Sequence, residues 1–438
     1  MQNRLDGKLI LLYTLLVLQV FIVMIYVIST PKSEYDLSTT RNPVSFIDTQ
    51  TVQVPTYHNQ IKLKIPKPTT PTISGEIKLK NTRTLEFFII KNQTACWKEG
   101  LDNDKIKSTE NERELDRCIC KPGWHGVDCG EPEVVWRAIM ASKQNIKLTR
   151  RRTSRRLIYV FSVDDFNSAI AEVIVEELYN VVDLFVICDY SNSEENFKHK
   201  LAKGLLEGHQ NKILYININS GGGKTARKPK RVISRFIWDK ISVQVKNIKH
   251  DDIYVMTDSE EILNLRALMF LKVYDGWPQP IGFRLRWSVF GFFWRHPLKT
   301  TITVGACTVG FLYNAFRSNA LVLSQLSDEI SEQRDNLGLV IGDLNHYGGW
   351  YCHYCQSPAN IVNLIEREGK NNVPDGTKNL DVAFIEDIIG GGVWIDGKTS
   401  LLRAYKSHES YFAPETVIAN PFKYDWLVDN FYAKLDYY

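Results

Sequence analysis

The chain has 438 residues, of which 44% are hydrophobic and 24% charged, and this composition excludes a disordered chain. A net charge of +4 is small for this length and gives no reason to expect a nucleic-acid partner. The length is sufficient for more than one folded unit.

An uncharged apolar segment occupies residues 9–28 and reads LILLYTLLVLQVFIVMIYVI. About 20 helical residues, rising about 1.5 Å each, cross a hydrocarbon core of roughly 30 Å. Arg4 and Lys8 precede the segment, and no small-residue cleavage pattern follows it. We therefore predict one membrane-spanning signal anchor, with residues 1–8 in the cytosol and the remainder in the lumen. A cleaved signal peptide is the alternative.

Residues 29–90 contain repeated prolines among threonine, lysine and serine, a composition that favours extended chain over helix. We predict that this segment is a stalk that holds the following domain away from the bilayer. Asn92 begins the only N-x-[ST] sequence of the chain and is a predicted glycosylation site if the segment is lumenal.

Residues 91–132 hold four of the eight cysteines: Cys96, Cys118, Cys120 and Cys129. In an oxidising compartment, this clustering predicts disulfides that replace a hydrophobic core in a small module. Four cysteines allow three pairings, and their spacing does not choose among them. The stretch CICKPGWHGVDC resembles the end of an EGF-like module with fewer cysteines than a full one. That resemblance implies the pairs Cys96–Cys118 and Cys120–Cys129.

Residues 133–156 end in the basic run RRRTSRR. Charge runs of this kind are usually solvated, so we predict a basic linker. The alternative is that this run attracts nucleic acid or anionic glycans.

From residue 157 onward, short apolar runs alternate with stretches of helical periodicity. The runs typical of buried parallel strands are 157–161, 184–188, 213–216 and 253–256. The helical stretches are 167–179, 195–207, 232–248 and 263–274. This alternation predicts that residues 157–438 form an α/β domain with a mostly parallel sheet. Such sheets bind ligands beyond the carboxyl ends of their strands.

Acidic residues follow the fourth predicted strand directly, with Asp258, Glu260 and Glu261 within four positions. Carboxylate oxygens are the ligands that Mg²⁺ and Mn²⁺ prefer, and a divalent cation there could stabilise the diphosphate of a sugar nucleotide. The alternative is that Asp258 or Ser259 caps the helix that follows. The spacing does not decide between the two.

Two further motifs have ordinary explanations. The run GGGKT at 221–225 lacks the first glycine of a phosphate-binding loop, which favours a plain loop. Cys352 and Cys355 have no second pair of suitable ligands nearby in sequence, so a lumenal disulfide is favoured over a zinc or redox site. They could pair with each other, or with Cys188 or Cys307. Trp350 and Tyr351 could stack on a sugar ring, and core packing is the alternative for such aromatic residues.

Several motifs in one order resemble glycosyltransferase family 17 from about residue 96 to the end of the chain. The motifs are CICKPGWHGVDC, VVDLFVICDYSN, DDIYVMTDSEEI, MFLKVYDGW, SVFGFFW, HYGGWYCHYC, GGGVWIDG and YFAPETVI. The resemblance implies a Rossmann-like, A-type glycosyltransferase domain at 157–438, carried on a type II Golgi membrane anchor. It also implies transfer of N-acetylglucosamine from UDP-GlcNAc to the core mannose of N-glycans on glycoproteins, forming a β-1,4 bisecting link. An α-linked donor and a β-linked product imply inversion.

We assign roles within these motifs on the same resemblance, with Mn²⁺ or Mg²⁺ as cofactor. The predicted site residues are Asp258 and Glu260 for the metal or diphosphate, Glu261, His346 and Asp396 for catalysis, and Trp350 and Trp394 for the substrate. An inverting transfer needs a base for the acceptor hydroxyl and a stabilised leaving group. No spacing argument identifies the base.

One motif departs from the family. Where the family reads Asp-Asp-Ala-Asp-Glu, this chain has Thr257-Asp258-Ser259-Glu260-Glu261. One negative charge is lost and one predicted metal-binding arm is longer by a methylene group, which an octahedral site tolerates poorly. The alternative is therefore a related protein that has another acceptor, or that binds a nucleotide or glycan without catalysis. A surface adhesion module based on the EGF-like segment is a second alternative.

Overall fold

The computed structural model of the chain describes residues 17–19, 45–49, 76–91, 94–104, 117–191, 196–218, 233–234, 236–329, 338–368 and 380–433. Within these ranges, no helix is long and apolar enough to span a membrane. The predicted anchor lies outside them except for three helical residues at 17–19. Asn92 and the glycine-rich run at 221–225 also lie outside them. The chain divides into two units after Asn42, and all the elements below belong to the second, Pro43–Tyr438.

Strands are distributed along this whole unit. In chain order they are β1 (Ser45–Thr49), β2 (Phe88–Lys91), β3 (Thr94–Trp97), β4 (Trp124–His125), β5 (Glu131–Pro132), β6 (Thr149–Arg150), β7 (Leu157–Val163), β8 (Leu184–Asp189), β9 (Ile213–Ile218), β10 (Ile253–Thr257), β11 (Glu261–Leu263), β12 (Tyr274–Asp275), β13 (Ile281–Val289), β14 (Trp294–Thr308), β15 (Leu339–Ile341), β16 (Gly349–His353) and β17 (Leu402–Arg403).

Helices connect many of these strands. They are α1 (Glu133–Ala141), α2 (Ser168–Leu178), α3 (Phe197–Ala202), α4 (Ile237–Gln244), α5 (Leu265–Val273), α6 (Val309–Phe316), α7 (Leu321–Glu329), α8 (Pro358–Glu368), α9 (Val382–Gly391), α10 (Glu415–Ala419) and α11 (Pro421–Val428), with 3₁₀ helices at Thr84–Phe87 and Glu207–Lys212. The four strands and four helices predicted after residue 157 are confirmed as β7 to β10 and as α2 to α5, with shorter helix bounds for α3 and α4.

The main sheet begins with a parallel half in the order β1-β9-β8-β7-β10. The last four are the third, second, first and fourth strands of the predicted domain, which is the order that opens doubly wound nucleotide-binding sheets. Their side chains alternate between two cores. Tyr159 and Phe161 face one hydrophobic cluster, and Ile158 and Val160 face the other, so both sides of the sheet are covered.

The second half of the sheet is mixed, so the mostly parallel arrangement predicted from the sequence holds for the first half only. It continues from β10 in the order β14-β13-β16-β11, with β15 and β17 beside it. The pairs β10–β14, β13–β14 and β11–β16 are antiparallel, whereas β13–β16 is parallel. Long antiparallel strands such as β14 begin in charged and threonine-rich sequence, so they show no continuous apolar run for a sequence reading to find.

The cysteine-rich segment contains the disulfides Cys96–Cys118 and Cys120–Cys129, the pairs that the EGF-like resemblance implied. Short antiparallel pairs β2–β3 and β4–β5 accompany them. Trp97 and Trp124 are buried here and join the main hydrophobic cluster. This segment therefore packs onto the large domain within the described unit.

Two predictions about the chain before residue 157 need correction. The chain that packs on the domain begins before residue 91, because Leu79 is 6% exposed and its carbonyl accepts a hydrogen bond from Arg156. The basic run is not a solvated linker. Arg155 and Arg156 are 8% and 2% exposed, and Arg156 forms an ion pair with Asp252. A buried guanidinium is tolerated there because a carboxylate and backbone carbonyls accept its hydrogen bonds.

Candidate active site

The acidic stretch lies at a seam where the sheet closes on itself. β10 and β11 are separated by three residues, 258–260, yet three other strands lie between them in the sheet. Four strand spacings of about 4.8 Å would separate β10 and β11 by about 19 Å in a flat sheet. The connecting chain reaches only about 14 Å when fully extended. The mixed half of the sheet must therefore curl back towards β10, which brings β11 and β16 beside Asp258.

Glu261 faces the inside of this seam. Its side chain accepts hydrogen bonds from the backbone N–H of Asp258 at 2.8 Å and from the hydroxyl of Thr303 at 3.0 Å. The residue is 6% exposed. In this arrangement Glu261 holds the start of the acidic stretch against β14. Its predicted role as a base or acceptor contact stays a prediction, and the buried carboxylate does not favour it.

Glu260 is paired with a histidine. Its Oε2 lies 3.0 Å from Nδ1 of His353, at the end of β16, and its Oε1 lies 3.4 Å from the backbone N of Tyr354. The Glu260 side chain is 22% exposed and that of His353 is 21% exposed. Burial acts to raise the pKa of Glu260, but the His353 charge and the hydrogen bonds from His353, Tyr351 and Tyr354 hold that pKa below its ordinary value.

Aromatic rings surround this pair. The ring centroid of His353 lies 5.4 Å from those of Tyr351 and Trp394, both in stacked arrangements. Trp287 on β13 contacts Tyr351 edge-on at 4.7 Å. The ammonium group of Lys299 lies 5.0 Å from the Trp394 ring. Trp394 is only 9% exposed, so its predicted contact with a sugar is limited to a small part of the indole.

Asp396 lies in a turn beside this aromatic group. Its carboxylate accepts from the backbone N–H groups of Lys398 and Thr399 and from the Thr399 hydroxyl. Burial acts to raise the pKa of Asp396, but these hydrogen bonds and the nearby His296 hold it below its ordinary value. Burial and the charge of Lys299 lower the pKa of His296. The observed contacts of Asp396 thus stabilise a turn, and its catalytic role stays a prediction.

His346 and Trp350 lie elsewhere. Nδ1 of His346 is 3.1 Å from Asp343, and its Nε2 is 4.0 Å from Glu133. Trp350 is 4% exposed, and its indole N–H donates to the carbonyl of Tyr411. Alternate residues of a strand face opposite sides, so Trp350 points away from its neighbours Tyr351 and His353. Core packing, the alternative left open for Trp350, is what the structure shows.

The carboxyl end of β7 adds polar groups next to β10. β7 lies between β8 and β10, so this is the point where the order of the parallel strands reverses. Asp164 accepts from Arg367 at 2.8 Å. A cavity of about 320 Å³ adjoins this edge. It is lined by Asp165, Phe166, Ser168, Ala169, Lys200, Phe290, Phe293, Gln356, Ser357, Pro358, Asn360, Ile389, Trp426, Asp429, Phe431 and Tyr432. Its volume lies in the range of small-ligand pockets.

A third disulfide closes the turn next to the Glu260–His353 pair. Cys352 and Cys355 are bonded to each other, which confirms a disulfide and settles the partner that the sequence had left open. The buried thiols of Cys188 and Cys307 are free, and burial raises the pKa of each. Within the described residues, the disulfides are thus confined to the module before the large domain and to this turn.

The fit of a divalent cation rests mainly on Asp258. Within the described ranges, no group of three or more His, Cys, Asp or Glu side chains is arranged to hold a metal ion. Both oxygens of Glu260 are near protein donors, so Glu260 as seen here is not a direct ligand. The helix-capping alternative is wrong, because the side chain of Asn264 caps α5 by accepting from the backbone N–H of Ala267. Of the two residues predicted for the metal, only Asp258 is therefore placed to contact a cation, and the metal itself stays a prediction.

Sequence reasoning missed His353, Trp287 and Asp165. The acidic pair Asp164-Asp165 follows a continuous apolar strand, which is the same signal that identified Asp258. His353 lies within the motif HYGGWYCHYC, but nothing in its spacing distinguishes it from His346. Its pairing with Glu260 depends on a contact across 93 positions of sequence.

The fold and the site define an α/β protein whose polar groups converge beyond the carboxyl ends of its parallel strands, where proteins of this architecture bind ligands. The family model described as "Glycosyltransferase family 17" matches residues 141–327. The resemblance of this chain to glycosyltransferase family 17, inferred from its motifs, is thereby confirmed.

Known relatives agree with the family match. The chain is 27% identical over 351 residues to a beta-1,4-mannosyl-glycoprotein 4-beta-N-acetylglucosaminyltransferase of Mus musculus, covering 75% of this chain and 64% of the relative. It is 28% identical over 342 residues to the protein of the same name from Homo sapiens, covering 73% and 63%. The chain thus spans under two thirds of the length of these relatives. Among solved structures, the crystal structure of S. aureus TarS is similar over 54% of this chain and 42% of that one, at 13% identity and a TM-score of 0.25.

Proposed function

We propose that this protein is a glycosyltransferase that transfers N-acetylglucosamine from UDP-GlcNAc to the core mannose of N-glycans, with inversion and a β-1,4 product. The observation that carries the proposal is the match to glycosyltransferase family 17 together with the acidic strand end that the fold presents at a ligand-binding edge. The names of the related proteins suggest both the transferred sugar and the acceptor.

The donor would bind beyond the ends of β7 and β10. Asp258 follows β10, and the cavity beside Phe166 and Ser168 has the size of a small-ligand pocket. Mn²⁺ or Mg²⁺, held by the donor phosphates and Asp258, would supply positive charge to the departing diphosphate. The acceptor would approach from the side of Glu260 and His353, where aromatic rings offer apolar surface suited to a sugar ring.

We also propose that the protein resides in the Golgi membrane as a single-pass type II protein. The apolar segment at 9–28 and the disulfides in the described domain support this location, because disulfides persist in oxidising compartments. Carbonate extraction of membranes and protease protection of the large domain would test the topology. Digestion of the domain in sealed vesicles would contradict it.

The activity is tested with the purified full chain, UDP-GlcNAc, Mn²⁺ and a biantennary N-glycan. We expect a product that is heavier by one N-acetylhexosamine, and this added sugar should remain when the outer branches are trimmed away. EDTA should abolish formation of the product. Linkage analysis of the product identifies the acceptor mannose. Transfer to another position would support glycosyltransferase activity but contradict the proposed acceptor.

A protein that binds without catalysis is the second candidate, favoured by the engagement of Glu260 with His353 instead of an open acidic cluster. Calorimetric titration of UDP-GlcNAc separates the two. Binding of the donor with neither transfer nor donor hydrolysis would support the second candidate. Loss of a bisecting residue from cellular N-glycans when the gene is deleted would exclude it.

A further inference from the structure

The Glu260–His353 pair has the arrangement of an oriented histidine base. Nδ1 of His353 lies 3.0 Å from Oε2 of Glu260, and the Tyr351 hydroxyl is also 3.0 Å from Nδ1. An ionised carboxylate only accepts hydrogen bonds, so it fixes the ring proton on Nδ1. The other ring nitrogen, Nε2, then carries the lone pair.

The backbone on both sides of His353 is held in place. The Phe290 N–H donates to the His353 carbonyl at 2.9 Å, and the Cys352 N–H donates to the Glu260 carbonyl at 2.9 Å. The Cys352–Cys355 disulfide encloses His353 in a short loop. A catalytic group needs this kind of fixed geometry, because a displacement of about 1 Å costs on the order of 100-fold in rate.

The pair also occupies the correct edge of the sheet. Glu260 is two residues from Asp258, which directly follows β10. The His353 side chain is 21% exposed, so the ring is not sealed within the core. By contrast, Glu261 is turned inwards to Thr303, and His346 lies with Asp343 and Glu133.

We propose that His353 is the general base that deprotonates the acceptor hydroxyl and that Glu260 is its positioning residue, an inference that rests on the proposed glycosyl transfer. The acceptor oxygen forms the new bond to the anomeric carbon of the donor sugar as the bond from that carbon to the phosphate oxygen breaks. The electron pair of the broken bond leaves with UDP. The hydroxyl proton passes to Nε2 of His353 and is later released to water.

Three variants of the full chain test this assignment. His353→Ala removes the base, and Glu260→Gln replaces the accepting carboxylate by an amide that can donate to Nδ1 and so favour the wrong tautomer. His250→Ala is the matched control, because His250 is an exposed histidine at the other end of β10. Each variant is assayed for kcat with UDP-GlcNAc and a biantennary N-glycan, for affinity towards UDP, and for rescue by added imidazole.

We expect His353→Ala to lower kcat by about 100-fold or more, the usual contribution of general base catalysis. The affinity of His353→Ala for UDP should stay within about twofold of wild type, and added imidazole should raise its kcat by at least about tenfold. Imidazole should accelerate Glu260→Gln less, because the His353 ring still fills the site in that variant. His250→Ala should match wild type.

Other results overturn the assignment in distinguishable ways. Wild-type kcat in His353→Ala would refute the base while the proposed function stands. Weakened UDP binding in that variant would show that His353 contacts the diphosphate instead. A folded His353→Ala protein without imidazole rescue, combined with full activity of Glu260→Gln, would also refute it. Absence of transfer by the wild-type chain would remove the proposed function and this inference together.

Discussion

Acidic residues lie next to both ends of β10, but their surroundings differ. At its beginning, Asp252 is 1% exposed and bonded to Arg156, and the more exposed Asp251 contacts Arg151. At its other end, Glu260 pairs with His353 and Glu261 accepts from a backbone N–H and a hydroxyl. One strand thus begins with acids neutralised by arginine and ends with acids whose partners are titratable or neutral.

The difference shows that a cluster of carboxylates acquires its role from its partners. Arginine stays protonated under all ordinary conditions, so its pair with Asp252 contributes only to structure. Histidine exchanges protons near neutral pH, so its pair with Glu260 can take part in chemistry. Substitutions at the two ends should therefore separate loss of stability from loss of activity.

The largest effect on activity is expected for Asp258→Asn. The Asp258 carboxylate is proposed to hold the divalent cation at the departing diphosphate, so loss of its charge should lower kcat by about 1,000-fold, a magnitude typical of losing the stabilisation of developing charge. The midpoint of thermal unfolding should change by no more than about 2 °C, because the amide has the same shape. Assays of transfer and thermal unfolding on the full chain measure both. Full activity would remove Asp258 from the mechanism.

Asp252→Asn should have the converse result. It leaves the Arg156 guanidinium, which is 2% exposed, without its ionised partner. We expect the free energy of unfolding to fall by about 3–5 kcal/mol. The activity per folded molecule should stay at the wild-type level. Urea unfolding monitored by tryptophan fluorescence, with activity normalised to folded protein, is the measurement. A stable variant would mean that Arg156 finds another acceptor.

Acid should lower the free energy of unfolding through Glu260, which lies just after β10. Its pKa in the folded protein lies below the ordinary value of 4.5, so the unfolded chain binds more protons than the folded one between these two values. The stabilisation is complete above the ordinary value and is lost as the pH falls through the folded pKa. Urea unfolding in EDTA from pH 7 down to pH 3 should show a shallower loss for Glu260→Gln than for wild type. Parallel curves would contradict this.

The smallest effect is expected for Asp251→Asn, which is the matched control for Asp258→Asn. The Asp251 side chain is 44% exposed, and Arg151 keeps its second partner Asp275. An exposed ion pair contributes at most about 1 kcal/mol, so we expect the free energy of unfolding to fall by less than that and kcat to be unchanged. A loss of activity here would mean that the beginning of β10 also serves the reaction.

Local pattern was sufficient to predict β7 to β10 and the acidic residues after β10. Continuous apolar runs indicate strands buried on both faces, and the residue after such a run must lie at a sheet edge. A disulfide at Cys352 and Cys355 was also predicted, but only the structure chose their pairing with each other over Cys188 or Cys307. Pattern failed for β14, which begins in charged and threonine-rich sequence, and for the basic run, whose buried arginines find carboxylates about 100 positions away.

By itself, the sequence determined that acidic residues lie at one end of β10. The apolar run that predicts the strand and the charges that follow it are both properties of neighbouring residues. It also determined the family that the chain resembles, through motifs in a fixed order. Only the tertiary structure decided which carboxylates meet which bases. The seam between β10 and β11 closes through strands far apart in the chain, and it turns Glu260 towards His353, Glu261 towards Thr303 and Trp350 into the core. Those contacts depend on how the sheet curls, and no local spacing encodes that curvature.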